Sequence, residues 1–152
     1  MTATTQDRIE RQIALRAPRK RVWQALTDAA EFSAWFGITL DGPFEVGKTV
    51  RGKHPVAGIG DIVVDYTVEK IEPETLFSYR WHPYACDPER DYSGEPTTLV
   101  EFRLRDDNGG TLLTVTESGF DRIPASRRDE AFRKNTDGWK GQLANLQRYV
   151  EK

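Results

Sequence analysis

Between Asp61 and Glu117 apolar and polar residues alternate in short runs cut by turn residues. After Gly119 the period changes once, to a single stripe of Phe132, Trp139, Leu143, Leu146 and Val150. A period of two marks a strand half-buried on one face, and a period near 3.6 marks a helix with one apolar side. Strands and helix of this kind bury their apolar faces against each other. The pattern therefore predicts an antiparallel sheet packed on a long carboxy-terminal helix, an α+β domain.

The runs are specific. Ile62, Val64, Tyr66 and Val68 alternate with polar residues up to the turn Glu72-Pro73-Glu74, and Phe77, Tyr79 and Trp81 share one face of the next strand. Thr98, Val100, Phe102 and Leu104 share a face, Asp106 to Gly110 makes a hairpin turn, and Leu113, Val115 and Glu117 share a face on the return. The first strand holds Ile9, Arg11, Ile13 and Leu15 in one phase. Pro18 then opens a short helix with Val22, Trp23, Ala25 and Leu26. The spacing of Asp28 and Glu31 reads as a capping box for a second short helix through Phe32, Trp35 and Phe36. Glycines at 37, 42, 47, 52, 58 and 60 leave room only for short strands. The last helix begins near Pro124, its stripe interrupted by Asn135, Thr136 and Gly138. The expected order is one strand, two short helices, about six strands and a terminal helix, in one domain over residues 1–152 with residues 1–7 disordered.

Composition narrows the function. A net charge of −2 among 152 residues provides no cationic field for nucleic acid or an anionic membrane. No apolar run is long enough to cross a bilayer, and the amino terminus lacks a signal-peptide core. A single cysteine, Cys86, forms no internal disulfide, which suits a cytoplasmic location.

The search for catalytic motifs is mostly negative. The glycines between Gly42 and Gly60 match neither a phosphate loop nor a dinucleotide fingerprint, so no cofactor is expected. His82, Cys86 and Asp87 lack the second spaced pair of a structural zinc site, so no metal is expected. His54 and His82 precede prolines and read as partly exposed loop residues.

Two charged residues fall in phase with apolar neighbours: Arg11 on the first strand and Glu117 on the last. An unpaired inward charge costs on the order of several kcal/mol, so the two could meet as an inward ion pair at one end of the cavity; the alternatives are a purely structural pair, or an edge position where both reach solvent. Tyr66, Tyr79, Trp81 and Phe102 share the inner face with them. Trp35, Phe36, Phe120 and Trp139 come from the elements that close the space. Aromatic walls with a few hydroxyl and indole donors suit a flat, ring-containing apolar ligand, and equally suit a filled core. Edge strands rich in glycine would allow a homodimer about a two-fold axis.

Several strings carry a resemblance: Ala17-Pro18, Val22-Trp23, Ala25-Leu26-Thr27-Asp28 and Trp35-Phe36; then Glu69-Lys70-Ile71-Glu72-Pro73 with Leu76 and Tyr79; then Gly110-Thr111, Leu113, Val115 and Glu117-Ser118-Gly119-Phe120; and Gly138-Trp139 with Leu143 and Leu146. In this order they resemble the START-like (SRPBCC, helix-grip) superfamily. More narrowly, they resemble the family named for the activator of the ninety-kilodalton heat-shock protein ATPase. The resemblance implies a curved sheet gripping the last helix with a cavity between them, but not one function; that cavity and the lack of a catalytic constellation make binding of a small hydrophobic molecule the first expectation. Relatives also include cyclase- or hydrolase-type enzymes and co-chaperones. An enzyme using cavity acid-base groups such as Glu117, Tyr66 or His82, or a module contacting a chaperone, are therefore the alternatives.

Overall fold

The computed structural model describes residues 7–152. Residues 1–6, most of the segment expected to be disordered, lie outside the described residues. Asp7 accepts backbone hydrogen bonds from Gly119 and Phe120.

The elements are β1 (Arg8–Leu15), α1 (Arg19–Thr27), α2 (Ala29–Phe36), β2 (Thr39–Leu40), β3 (Thr49–Val56), β4 (Gly60–Glu72), β5 (Leu76–Trp81), β6 (Thr98–Asp107), β7 (Gly110–Ser118), a single 3-10 turn at Phe120–Arg122, and α3 (Ala125–Val150). The seven strands form one antiparallel sheet in the order β1-β7-β6-β5-β4-β3-β2. This is the α+β helix-grip architecture. Its first and last strands are neighbours, with Ile9 opposite Glu117 and Arg11 opposite Val115.

Local chemistry accounts for the joints. Asp28 closes α1 by giving its N–H to Gln24 O, and opens α2 by accepting from the N–H groups of Ala30 and Glu31. Only half of the capping box forms. The backbone N–H of Asp28 already has its partner in α1, so Glu31 turns instead to Arg21, at 2.6 Å, and to the Tyr149 hydroxyl, at 3.1 Å. The β6–β7 hairpin turns through Asn108 and Gly109, both at positive φ, the backbone that a two-residue turn of this hand requires. In β4 the register shifts between Val68 and Lys70, a bulge of the sort that increases strand bend.

Helix α3 runs unbroken through Asn135, Thr136 and Gly138. Thr136 returns its hydroxyl to Phe132 O, while Asn135 and Gly138 serve the site described below. Of the predicted stripe, Trp139, Leu143, Leu146 and Val150 are buried and Phe132 is half-buried.

The predicted opposition of helix and sheet divides in two. Trp139 meets Phe102 and Trp81, with ring centroids 5.7 and 5.9 Å apart. Tyr66 and Tyr79 instead meet Phe32 of α2, at 6.2 and 6.4 Å. Phe32 fills the middle of the grip, so α2 plugs one half of the space and leaves the other half to α3.

Candidate functional site

The unplugged half is a cavity of about 200 Å³. Strands β3 and β4 supply His54, Val56, Ile62 and Val64 to its wall, and Phe36 closes it from α2. Trp81 ends β5, and Asn135, Gly138, Trp139 and Gln142 come from α3. The segment after β5 contributes His82, Tyr84, Ala85 and Cys86. That segment belongs to the proline-containing stretch between β5 and β6, which therefore forms part of the cavity rim.

Arg127, in the first turn of α3, holds this rim in place. Its guanidinium donates to Pro83 O at 2.8 Å and to Tyr84 O at 3.3 Å, pairs with Glu95 at 2.9 Å, and lies over the Tyr92 ring. Tyr84 adopts φ 50°, a left-handed backbone that costs a non-glycine residue roughly 1–3 kcal/mol unless its surroundings impose it. The bonds to Arg127 on either side of its Cα supply that constraint.

Behind the cavity lies Glu117, fully buried. Trp81 Nε1 donates to Oε2 at 2.7 Å and Thr98 Oγ1 to the same oxygen at 2.5 Å. Trp139 Nε1 donates to Oε1 at 2.8 Å, and Asn135 Nδ2 bridges both oxygens at 3.0 and 3.1 Å. Burial pushes the carboxyl above its ordinary range, and the hydrogen bonds from Thr98, Trp81, Trp139 and Asn135 pull it back. An indole N–H can only donate, so this arrangement is built for the carboxylate form. Three of its four donors, Trp81, Asn135 and Trp139, line the cavity. Glu117 thus orients the wall while its own oxygens are occupied.

The expected Arg11–Glu117 ion pair is corrected by this geometry. Both residues have the predicted inward phase. Among the described residues, however, no ion pair joins them, and Glu117 takes neutral donors instead. Arg11 lies across from Val115, two residues along β1 from Ile9, and among the described residues its buried Nε has no hydrogen-bond partner. Strand parity gave the face but not the reach of the side chain.

The other aromatic candidates separate by contact. Phe36, Trp81 and Trp139 line the cavity. Trp35 is core, its indole N–H donating to Ala25 O at 2.8 Å. Phe102 is sealed between Phe77 and Trp139, and Phe120 packs on Phe132 near the start of α3. Tyr79 is fully buried, and its hydroxyl is without a hydrogen-bond partner among the described residues. Tyr79→Phe should therefore leave stability unchanged or raise it by up to about 1 kcal/mol, because it removes a desolvated, unpaired polar group. Chemical denaturation would check this, and a loss above about 1 kcal/mol would show an unseen partner.

The expectation that His54 is a partly exposed loop residue is corrected in its element, not in its partial exposure. It stands on β3, half-buried and facing the cavity, with Nε2 2.6 Å from the Tyr66 hydroxyl and the two rings stacked at 5.9 Å. Burial pulls its pKa down to about 4, so the ring is neutral at physiological pH. Gly52, on the same face, makes the stack possible: a Cβ there would come within 2.9 Å of the Tyr66 ring. The alternation of Val50, Gly52, His54 and Val56 could have placed His54 on this face, but the surrounding glycines and Pro55 obscured it. His82 does lie in the loop after β5, its Nε2 3.0 Å from Glu95 O. Burial raises the Cys86 thiol, which disfavours the thiolate. Among the described residues, no cluster of three or more His, Cys, Asp or Glu side chains could hold a metal ion, and no helix is long and apolar enough to cross a membrane.

Similar folds are known. The chain superimposes on DynU16 of the dynemicin biosynthetic locus with a TM-score of 0.73 and 27% identity, covering 96% of this chain and 48% of that one. It spans about half the length of DynU16. Protein MLL2253 from Mesorhizobium loti matches with a TM-score of 0.72 and 27% identity over 94% of this chain and 96% of that one. The Aha1 dimer from Colwellia psychrerythraea, at 20% identity, shares the fold with a TM-score of 0.71 over 95% and 96% of the two chains. No curated protein matches the sequence. Residues 16–151 match the family described as activator of Hsp90 ATPase homolog 1-like protein, and the chain belongs to that family.

Proposed function

We propose that this protein binds a small, ring-containing hydrophobic ligand in the cavity between β3–β5 and α3. The observation that carries the reading is a wall of Phe36, Trp81 and Trp139 whose two indoles are fixed from behind by one buried carboxylate. Preorganised aromatic surface with a few polar atoms is the usual composition of a small-molecule site. A cavity of about 200 Å³ suits one or two fused rings, given that an apolar cavity of roughly 150 Å³ takes up benzene. The likeness to DynU16, from a biosynthetic locus, is consistent with handling of a small molecule.

Trp81 and Trp139 make the test direct. Titration with bicyclic aromatic compounds should give a saturable change in tryptophan fluorescence. Gly138→Leu should abolish it. A Cβ at Gly138 meets no atom within 4 Å, so the new side chain can enter the cavity while helix propensity improves by up to about 1 kcal/mol. Absence of any saturable change across a broad panel, or binding unaltered in Gly138→Leu, would remove this reading.

A further inference from the structure

Besides the donors held by Glu117, the cavity wall has a polar group, the His54 imidazole, whose role is set by a residue that does not itself line the cavity. Tyr66 is fully buried, and among the described residues its hydroxyl has one hydrogen-bond partner, His54 Nε2. A buried phenol left without an acceptor for its proton loses the full hydrogen bond, so the stable arrangement has Tyr66 donating to Nε2. Burial keeps Tyr66 protonated by raising its pKa well above the ordinary value, and keeps His54 neutral. A neutral imidazole that accepts at Nε2 must carry its proton on Nδ1.

Among the described residues His54 Nδ1 has no hydrogen-bond partner, and the half-buried ring lines the cavity. The ring stands edge-on to Phe36, at 6.1 Å, on the cavity wall. We infer that Tyr66 fixes His54 as an Nδ1–H donor toward the cavity, and that the site selects ring ligands bearing a neutral acceptor oxygen, such as a ketone, over their hydrocarbon counterparts. This rests on the cavity binding a ligand at all. Selectivity arises because a hydrocarbon leaves the donor unpaired once water is expelled, whereas a carbonyl oxygen satisfies it.

The test compares 1-tetralone with tetralin, bicyclic compounds that differ by a ketone in place of a methylene. Fluorescence or calorimetric titration of the wild-type chain should show the ketone binding at least about fivefold tighter, the range expected of one hydrogen bond made in a desolvated site. The preference should vanish in His54→Phe and weaken in Tyr66→Phe, which leaves the tautomer unfixed. Long-range proton–nitrogen NMR of the wild-type imidazole, which needs no variant, should show the proton on Nδ1. If both compounds bind equally, or if the proton resides on Nε2, the inference fails while the binding site stands. If neither compound binds and the wider panel also gives no saturable change, the site and the inference fall together.

Discussion

Replacing Glu117 with Gln is expected to destabilise the fold by about 2–4 kcal/mol at pH 7, although the change adds no volume. The carboxylate receives Trp139 and Asn135 on one oxygen, and Trp81, Thr98 and Asn135 on the other. A glutamine has one acceptor oxygen and one NH2 group, which only donates. Whichever way its amide is turned, an NH2 group meets an indole N–H that can only donate. The lost bonds are charge-assisted, at about 1.5–3 kcal/mol each, and the displaced donors are left buried. The same substitution releases the two indoles that form the cavity wall, so ligand-induced fluorescence should weaken as well. Urea unfolding of the wild-type and E117Q chains measures the first effect; a difference below about 0.5 kcal/mol would show that the four donors contribute little to holding the site.

The second large effect is one of pH. His54 has an ordinary value of 6.5 and is held at about 4 in the folded chain, because its ring is removed from water. Among the described residues, its neighbours are the Tyr66 hydroxyl and the Phe36 ring, and no carboxylate pairs with it. Above pH 6.5 the imidazole is neutral in folded and unfolded chains alike, and the full stability is present. As pH falls from 6.5 toward 4 only the unfolded chain takes up the proton, so stability is lost, by up to about 3 kcal/mol.

Glu117 runs in the opposite sense. A carboxyl raised by burial favours the folded chain below its unfolded value, and that contribution fades as pH climbs through the folded value. Acid loss between pH 6.5 and 4 therefore reports His54 against an opposing Glu117 contribution. Unfolding free energies of wild-type and His54→Phe chains measured across this range should diverge from about pH 6.5 downward. Parallel curves would mean that the folded chain admits a charged imidazole at this position.

Much of the fold was legible in the sequence because strand parity and helical period are local properties of the chain. Ile9 to Leu15, Ile62 to Val68, Thr98 to Leu104 and Leu113 to Glu117 each showed which side chains face inward, and Asp28 marked the joint between the short helices. The same pattern placed Phe36, Trp81, Glu117 and Trp139 on the correct faces. It could not distinguish Trp35, Tyr79 or Phe102 from cavity residues, since a buried ring in a filled core and one beside a void have the same parity.

Those distinctions belong to tertiary structure. Phe32 packs against Tyr66 and Tyr79 together, whose rings meet each other at 5.1 Å, and fills that half of the grip, because α2 crosses there; no local spacing carries that information. Glu117 takes Trp81, Thr98, Asn135 and Trp139 rather than Arg11, because four donors from β5, β6 and α3 converge on one buried carboxylate. His54 became a cavity residue because Gly52 lets the Tyr66 ring lie against it. The alternation of residues along this chain decided which charges point inward, and the packing of distant elements decided which groups meet them.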